Sequence, residues 1–125
     1  MLIALLVQIH SRLPYILMGY MAVMAVWGLW LYFGRRPFSP GYFFSLGLGL
    51  ILIAAQVIIG VFLLVTGLRA VQLIHYLYGA LALLSLPIAY LYLRSTGWQR
   101  AMLIVGLTCA LIIAFVWRGM ATALQ

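Results

Sequence analysis

Four long apolar stretches, separated by short segments of polar residues, glycine and proline, make up almost the whole chain. They cover about residues 13–33, 42–66, 71–93 and 101–117, and the first extends back with apolar residues towards Leu2. A helix needs about 20 apolar residues to cross the hydrocarbon core of a membrane. The pattern therefore predicts an all-α integral membrane protein, a single domain in which four transmembrane helices form a bundle with short loops.

The segments between the stretches contain residues that end helices. Residues 34–41 hold two arginines, two prolines and two glycines, and residues 94–100 form a second polar segment, so both are predicted loops. Gly67 is predicted to close the second helix before a tight turn. Pro14 is expected to start or kink the first helix near its outer end. Pro87 lies within the third helix, where neighbouring helices compensate for the lost backbone bond.

The composition agrees with lipid as the main solvent of these side chains. Hydrophobic residues make up 69% of the chain and the mean hydropathy is +1.27, whereas a soluble domain is about half apolar. The seven charged side chains are all arginine, with no Asp or Glu. The arginines are dispersed between apolar runs, which does not favour nucleic-acid binding. The anions that pair with them must come from lipid phosphates, a cofactor carboxylate or a partner subunit.

The distribution of arginine favours one orientation in the membrane. Four arginines lie on the side of the loops that follow the first and third spans: Arg35, Arg36, Arg94 and Arg100. Three lie on the opposite side: Arg12, Arg69 and Arg118. Because arginine is enriched on the cytoplasmic side, both termini are expected outside, in a bacterial inner membrane. Residues 1–7 lack a basic region and a small-residue cleavage site, so no cleaved signal peptide is expected.

His10 and His75 are the two histidines of the chain. Ionisable residues at membrane depth are rare and are commonly functional. His10 precedes the first predicted span and His75 lies about one turn into the third. Since these spans run in the same direction, both imidazoles are expected at one end of the bundle and at similar depth. That arrangement can hold one haem edge-on between two helices, with a histidine on each face of the iron.

Other residues at this end extend the haem hypothesis. Arg12 and Arg69 lie on the side of the two histidines, and arginine forms bidentate pairs with carboxylates such as haem propionates. The alternative is that both arginines contact lipid phosphates. Small residues in the same layer would let a flat ring approach the backbone, although they also serve ordinary helix packing. These candidates are Gly19, Gly60, Gly67 and Gly79.

Other chemistry is largely excluded by the residues that the chain lacks. Without Asp or Glu there is no carboxylate base and no cage for hard cations. The single Cys109 lies in the middle of the fourth span, far in depth from both histidines, so a zinc site is not expected. Hydrolytic catalysis by this chain alone is not expected either.

Two stretches carry a family resemblance. One reads AQVIIGVFLLVTGL over residues 55–68 and is followed by HYLYGA at residues 75–80, and the other reads HSRL at residues 10–13. Both resemble the haem A synthase family, in which a helix with a Gln-Val-x-x-Gly pattern leads by a short loop to a helix that begins with histidine. The likeness covers about residues 8–93. It implies a four-helix bundle in which His10 and His75 ligate a haem near the outer face.

The chain also departs from that family. It corresponds to one half-length bundle, and the first histidine comes at the N-terminus rather than after a leading helix. The family's outer loop with a glutamate and paired cysteines has no counterpart, so haem A synthase activity is not expected.

The leading hypothesis is a b-type cytochrome-like membrane subunit with one haem b, which serves electron transfer or structural support in a larger complex. Six-coordinate iron would leave no position for a substrate. One alternative is a cofactor-free accessory or assembly subunit of a membrane complex. Another is a pigment-binding subunit in which each histidine separately ligates a chlorophyll-type ring.

Overall fold

The computed structural model describes residues 1–37 and 39–123, and this part of the chain contains four α-helices. They are α1 (Leu2–Phe33), α2 (Pro40–Val65), α3 (Ile74–Leu93) and α4 (Trp98–Ala123). All four are long and apolar enough to cross a membrane. The predicted fold class, an all-α membrane bundle of four helices, is confirmed.

The helices form a ring in chain order. α1 packs most extensively against α4, α4 also packs against α3, and the contact between α2 and α3 is the smallest. The diagonal pairs, α1 with α3 and α2 with α4, have no close backbone approach in the described helices. Side chains from all four helices fill the centre, among them Met21, Ile53, Leu86, Met102 and Ile112. α1 and α3 therefore face one another across the bundle axis.

α1 continues without interruption through Pro14 and is longer than the predicted span. His10 was expected before the first span and instead lies within α1, eight residues after its first residue. Proline removes one backbone donor, which leaves the carbonyl of His10 without its intrahelical partner. The side-chain Nε2 of Gln56 on α2 donates to that carbonyl at 2.8 Å. One bond from a neighbouring helix thus compensates for the proline.

Local capping explains where α2 begins and ends. Ser39 is the N-cap, its Oγ accepts from the backbone N–H of Tyr42 at 3.3 Å, and Pro40 occupies the first helical position. At the other end Gly67 has φ +100°. The N–H of Gly67 donates to the carbonyl of Leu64, and that of Leu68 donates to the carbonyl of Leu63. Gly67 closes the helix as predicted, in the pattern that favours glycine at this position.

The loop before α3 is bound to the end of α4. The backbone N–H of Val71 donates to the carbonyl of Ala123, and that of Gln72 donates to the carbonyl of Thr122. These bonds satisfy carbonyls that the last turn of a helix leaves unpaired. Helix α3 consequently begins at Ile74, later than the predicted residue 71, and His75 is its second residue.

Candidate functional site

The imidazole rings of His10 and His75 meet across the bundle, although they belong to the diagonal pair of helices α1 and α3. Their centroids are 6.2 Å apart and their planes are inclined at 78°. Both side chains are partly buried. The two histidines therefore lie at the same level, as expected from the parallel directions of the first and third spans.

This separation matches two imidazoles on opposite sides of one metal ion. A metal–imidazole bond is about 2.0–2.1 Å and a ring nitrogen lies about 1.1 Å from the ring centre, so trans ligands have centroids about 6.3 Å apart. Each ring plane of such a pair contains the nitrogen–metal axis and can rotate about it. An inclination of 78° between the rings is therefore compatible with axial ligation.

The orientation of His75 is set by α4. Its Nδ1 lies 2.7 Å from the carbonyl oxygen of Gly119. Because a carbonyl can only accept, Nδ1 carries the proton and donates it, and Nε2 of the neutral ring keeps its lone pair. Metal-ligating histidines commonly donate their second nitrogen to a carbonyl in this way. The ring of Tyr76 packs edge-on against the ring of His75, with their centroids 5.4 Å apart. The hydroxyl of Tyr76 accepts a hydrogen bond from the backbone N–H of Ala70.

The ring of His10 packs against α2 at Gly60. A Cβ at Gly60 would lie 2.9 Å from Cε1 of His10 and 3.5 Å from its Nε2. Only glycine lets the ring approach the backbone of α2 this closely. The Nδ1 of His10 is buried and has no hydrogen-bond partner among the described residues, and the same holds for Oε1 of Gln56. Two polar atoms beside the histidine pair are thus unsatisfied.

The other candidate glycines differ in their distance from the pair. Gly19 follows His10 by nine residues on α1, about 13.5 Å along the axis, and it is exposed. It borders an open groove of about 420 Å³ between α1 and α2 and is not part of the histidine layer. Gly79 lies one turn after His75, and a Cβ there would contact nothing within 4 Å. Gly67 serves the turn after α2.

The structure places three arginines at the histidine end. Arg12 and Arg69 are exposed, and neither guanidinium forms a hydrogen bond or an ion pair in the part of the chain that the structure describes. Arg118 directly precedes Gly119, and its guanidinium carbon lies 5.9 Å from the centre of the Tyr78 ring. These cations are available to carboxylates or phosphates that the chain itself does not supply.

The set of metal-ligating side chains in the described residues is small. Within residues 1–37 and 39–123, no group of three or more His, Cys, Asp or Glu side chains could hold a metal. Cys109 is fully buried and precedes Gly119 by ten residues on α4, about 15 Å along the axis. A structural zinc needs four ligands, whereas a haem brings four nitrogens of its own and takes one or two further ligands from the protein. The two imidazoles fit that requirement.

Sequence reasoning missed several residues of the site. Gln56 was visible as a polar residue inside a strongly apolar helix, a signal that indicates an internal partner. Gly119, Tyr76 and the position of Arg118 beside Tyr78 had no comparable signal, because they depend on how the helices are rotated against one another. Comparison of the chain with protein-family models, with curated proteins and with solved structures finds no significant match.

Proposed function

We propose that the chain is a membrane subunit that holds one haem b between His10 and His75. The observation that carries this proposal is the pair of imidazoles 6.2 Å apart on diagonal helices. Support also comes from the tautomer of His75, whose Nδ1 donates to Gly119 and whose Nε2 is free to ligate. The subunit serves electron transfer or structural support in a larger membrane complex.

A haem at this place would supply one-electron chemistry, and the residues of the chain would position it. The carbonyl of Gly119 accepts a hydrogen bond from Nδ1–H of His75. Because Gly60 has no side chain, the ring of His10 can pack against the backbone of α2. A haem held by both histidines would offer no open iron position to a substrate. The proposal therefore includes no catalytic residue and no haem A synthase activity.

The exposed arginines at this end extend the proposal to the propionates. Arg12, Arg69 and Arg118 lie on the histidine side, and the chain contains no Asp or Glu that would compete for them. Arginine pairs well with carboxylates, and each pair would neutralise charge that is costly near the hydrocarbon. The excess of arginine at the opposite end supports an orientation with the haem near the outer face of a bacterial inner membrane.

A difference spectrum tests the proposal. The protein is expressed with haem supply, purified in mild detergent, and its reduced-minus-oxidised spectrum is recorded together with the haem-to-protein ratio. We expect one low-spin haem per chain, lost in both His10→Ala and His75→Ala. Ser11→Ala is the matched control, because the Ser11 hydroxyl is exposed and donates to the backbone carbonyl of Gln8. Wild-type protein without haem, or His variants that keep the low-spin spectrum, would overturn the proposal.

The same preparation separates the two alternatives. A cofactor-free accessory subunit would be colourless and would be recovered with partner subunits. A pigment subunit would yield a chlorin on extraction. The pigment alternative has less support, because ring centroids 6.2 Å apart would leave room between the two imidazoles for one flat macrocycle rather than for two.

A further inference from the structure

The two histidines of the pair are not held alike. His75 has its Nδ1 on the carbonyl of Gly119, so its proton has a partner. The Nδ1 of His10 is buried without one. Burying a polar group without a hydrogen bond costs about 1–3 kcal/mol. A ring in that position therefore needs an acceptor close by.

Gln56 already forms a hydrogen bond with His10. Its Nε2 donates to the His10 carbonyl that Pro14 leaves free, at 2.8 Å. Its Oε1 is buried and has no donor in the described part of the chain. The two unsatisfied atoms are thus a ring nitrogen, which donates when it carries the proton, and an amide oxygen, which accepts. They belong to two residues that a hydrogen bond already joins.

We propose that Gln56 is the positioning residue of His10: its Nε2 donates to the His10 carbonyl, and its Oε1 accepts from Nδ1–H of the ring, which would leave Nε2 of His10 available as a ligand. This inference rests on the proposed haem site. It makes the two ligands equivalent, each with its Nδ1–H donated to an oxygen. It also gives Pro14 a role. Because proline has no N–H, the carbonyl of His10 is free to accept the hydrogen bond from the Gln56 carboxamide.

The reduction potential of the haem-loaded protein tests this role. An acceptor on Nδ1–H makes the imidazole a stronger donor and lowers the potential, and loss of the acceptor raises it. We expect a lower potential in Gln56→Glu and a higher potential in Gln56→Leu. In Gln56→Leu the haem affinity is also expected to fall by roughly 10- to 100-fold.

Gln8 provides matched controls, since it is an exposed glutamine on α1 two residues before His10. Gln8→Glu adds the same charge on α1 near His10, and Gln8→Leu removes an exposed amide. We expect Gln8→Leu to leave the potential unchanged and Gln8→Glu to lower it less than Gln56→Glu. Circular dichroism verifies that each variant keeps its helices. If Gln56→Leu does not fold, the comparison of the two glutamate variants decides alone.

The outcomes for the two proposals are distinguishable. Wild-type protein that binds no haem would overturn both. Wild-type protein with haem, together with an unchanged potential in Gln56→Leu or equal shifts in the two glutamate variants, would overturn only the role of Gln56. Opposite shifts in the two Gln56 variants would support it, because a residue that merely stabilised the fold would not move the potential in both directions.

Discussion

Gly60→Ala is the smallest change that tests the geometry of the site. The added Cβ would lie 2.9 Å from Cε1 of His10. Carbon atoms in contact are about 3.5–4.0 Å apart, so the ring must move by about 0.6–1.1 Å or the two helices must separate. Metal–ligand distances vary by only about 0.2 Å. On the proposed haem site, the displaced imidazole would have to move back before it could ligate together with His75.

The magnitude follows from the cost of overpacking. Inserting a methyl group into a close contact costs about 1–3 kcal/mol. If His10 must return to its original place when haem binds, that cost lowers the affinity roughly 5- to 150-fold. The assay is titration of the apoprotein with haem, followed by the low-spin absorbance and by competition with a second haem acceptor.

Gly79→Ala is the matched control, one turn after His75 on α3, where a Cβ has no neighbour within 4 Å. Both variants replace a helical glycine by alanine, so the change in helix propensity is the same. Gly79→Ala is expected to bind haem like the wild type. If Gly60→Ala also bound haem with unchanged affinity and spectrum, the ring of His10 would not lie against Gly60 in the loaded protein and the reasoning would fail.

Three further predictions concern the stability of the bundle in detergent, measured by thermal or denaturant unfolding. Ser39→Ala removes the N-cap of α2 and should lower the free energy of unfolding by about 0.5–2 kcal/mol, whereas no loss would show that the cap is dispensable. Arg35→Gly should raise the free energy of unfolding by about 1 kcal/mol, because Arg35 has φ +49°, a region that glycine adopts without strain. A lower free energy of unfolding would contradict this. Tyr42→Phe should cost about 1 kcal/mol, because the buried hydroxyl donates to the carbonyl of Met24 at 3.0 Å, and an unchanged midpoint would refute that contribution.

Apolar length and loop residues were enough to predict the four helices, but not their bounds. α1 extends across Pro14 because the single lost bond is replaced by Gln56, a contact that lies 46 residues away in the chain. α3 starts at Ile74 because the preceding backbone is bonded to the end of α4. Such tertiary bonds leave no local pattern. Pairwise packing therefore decides helix ends that propensity alone cannot.

The histidine pair could be predicted because span direction determines which residues share one end of a bundle. The partners of the histidines could not. Gly60 and Gly19 are both glycines in apolar helices, yet one touches His10 and the other borders a groove. What separates them is the rotation of each helix about its axis, and nearly uniform apolar helices carry little sequence signal for that rotation.

The hydrogen bond from His75 to Gly119 has a consequence for biosynthesis. Membrane helices enter the bilayer in the order of their translation, and Gly119 lies close to the end of the last one. A nascent chain with only three helices inserted would present both imidazoles but would lack the oxygen that aligns the second. On the proposed haem site, cofactor loading would have to wait until α4 has packed against α1 and α3. Truncation before this helix should then yield a membrane-inserted but colourless product.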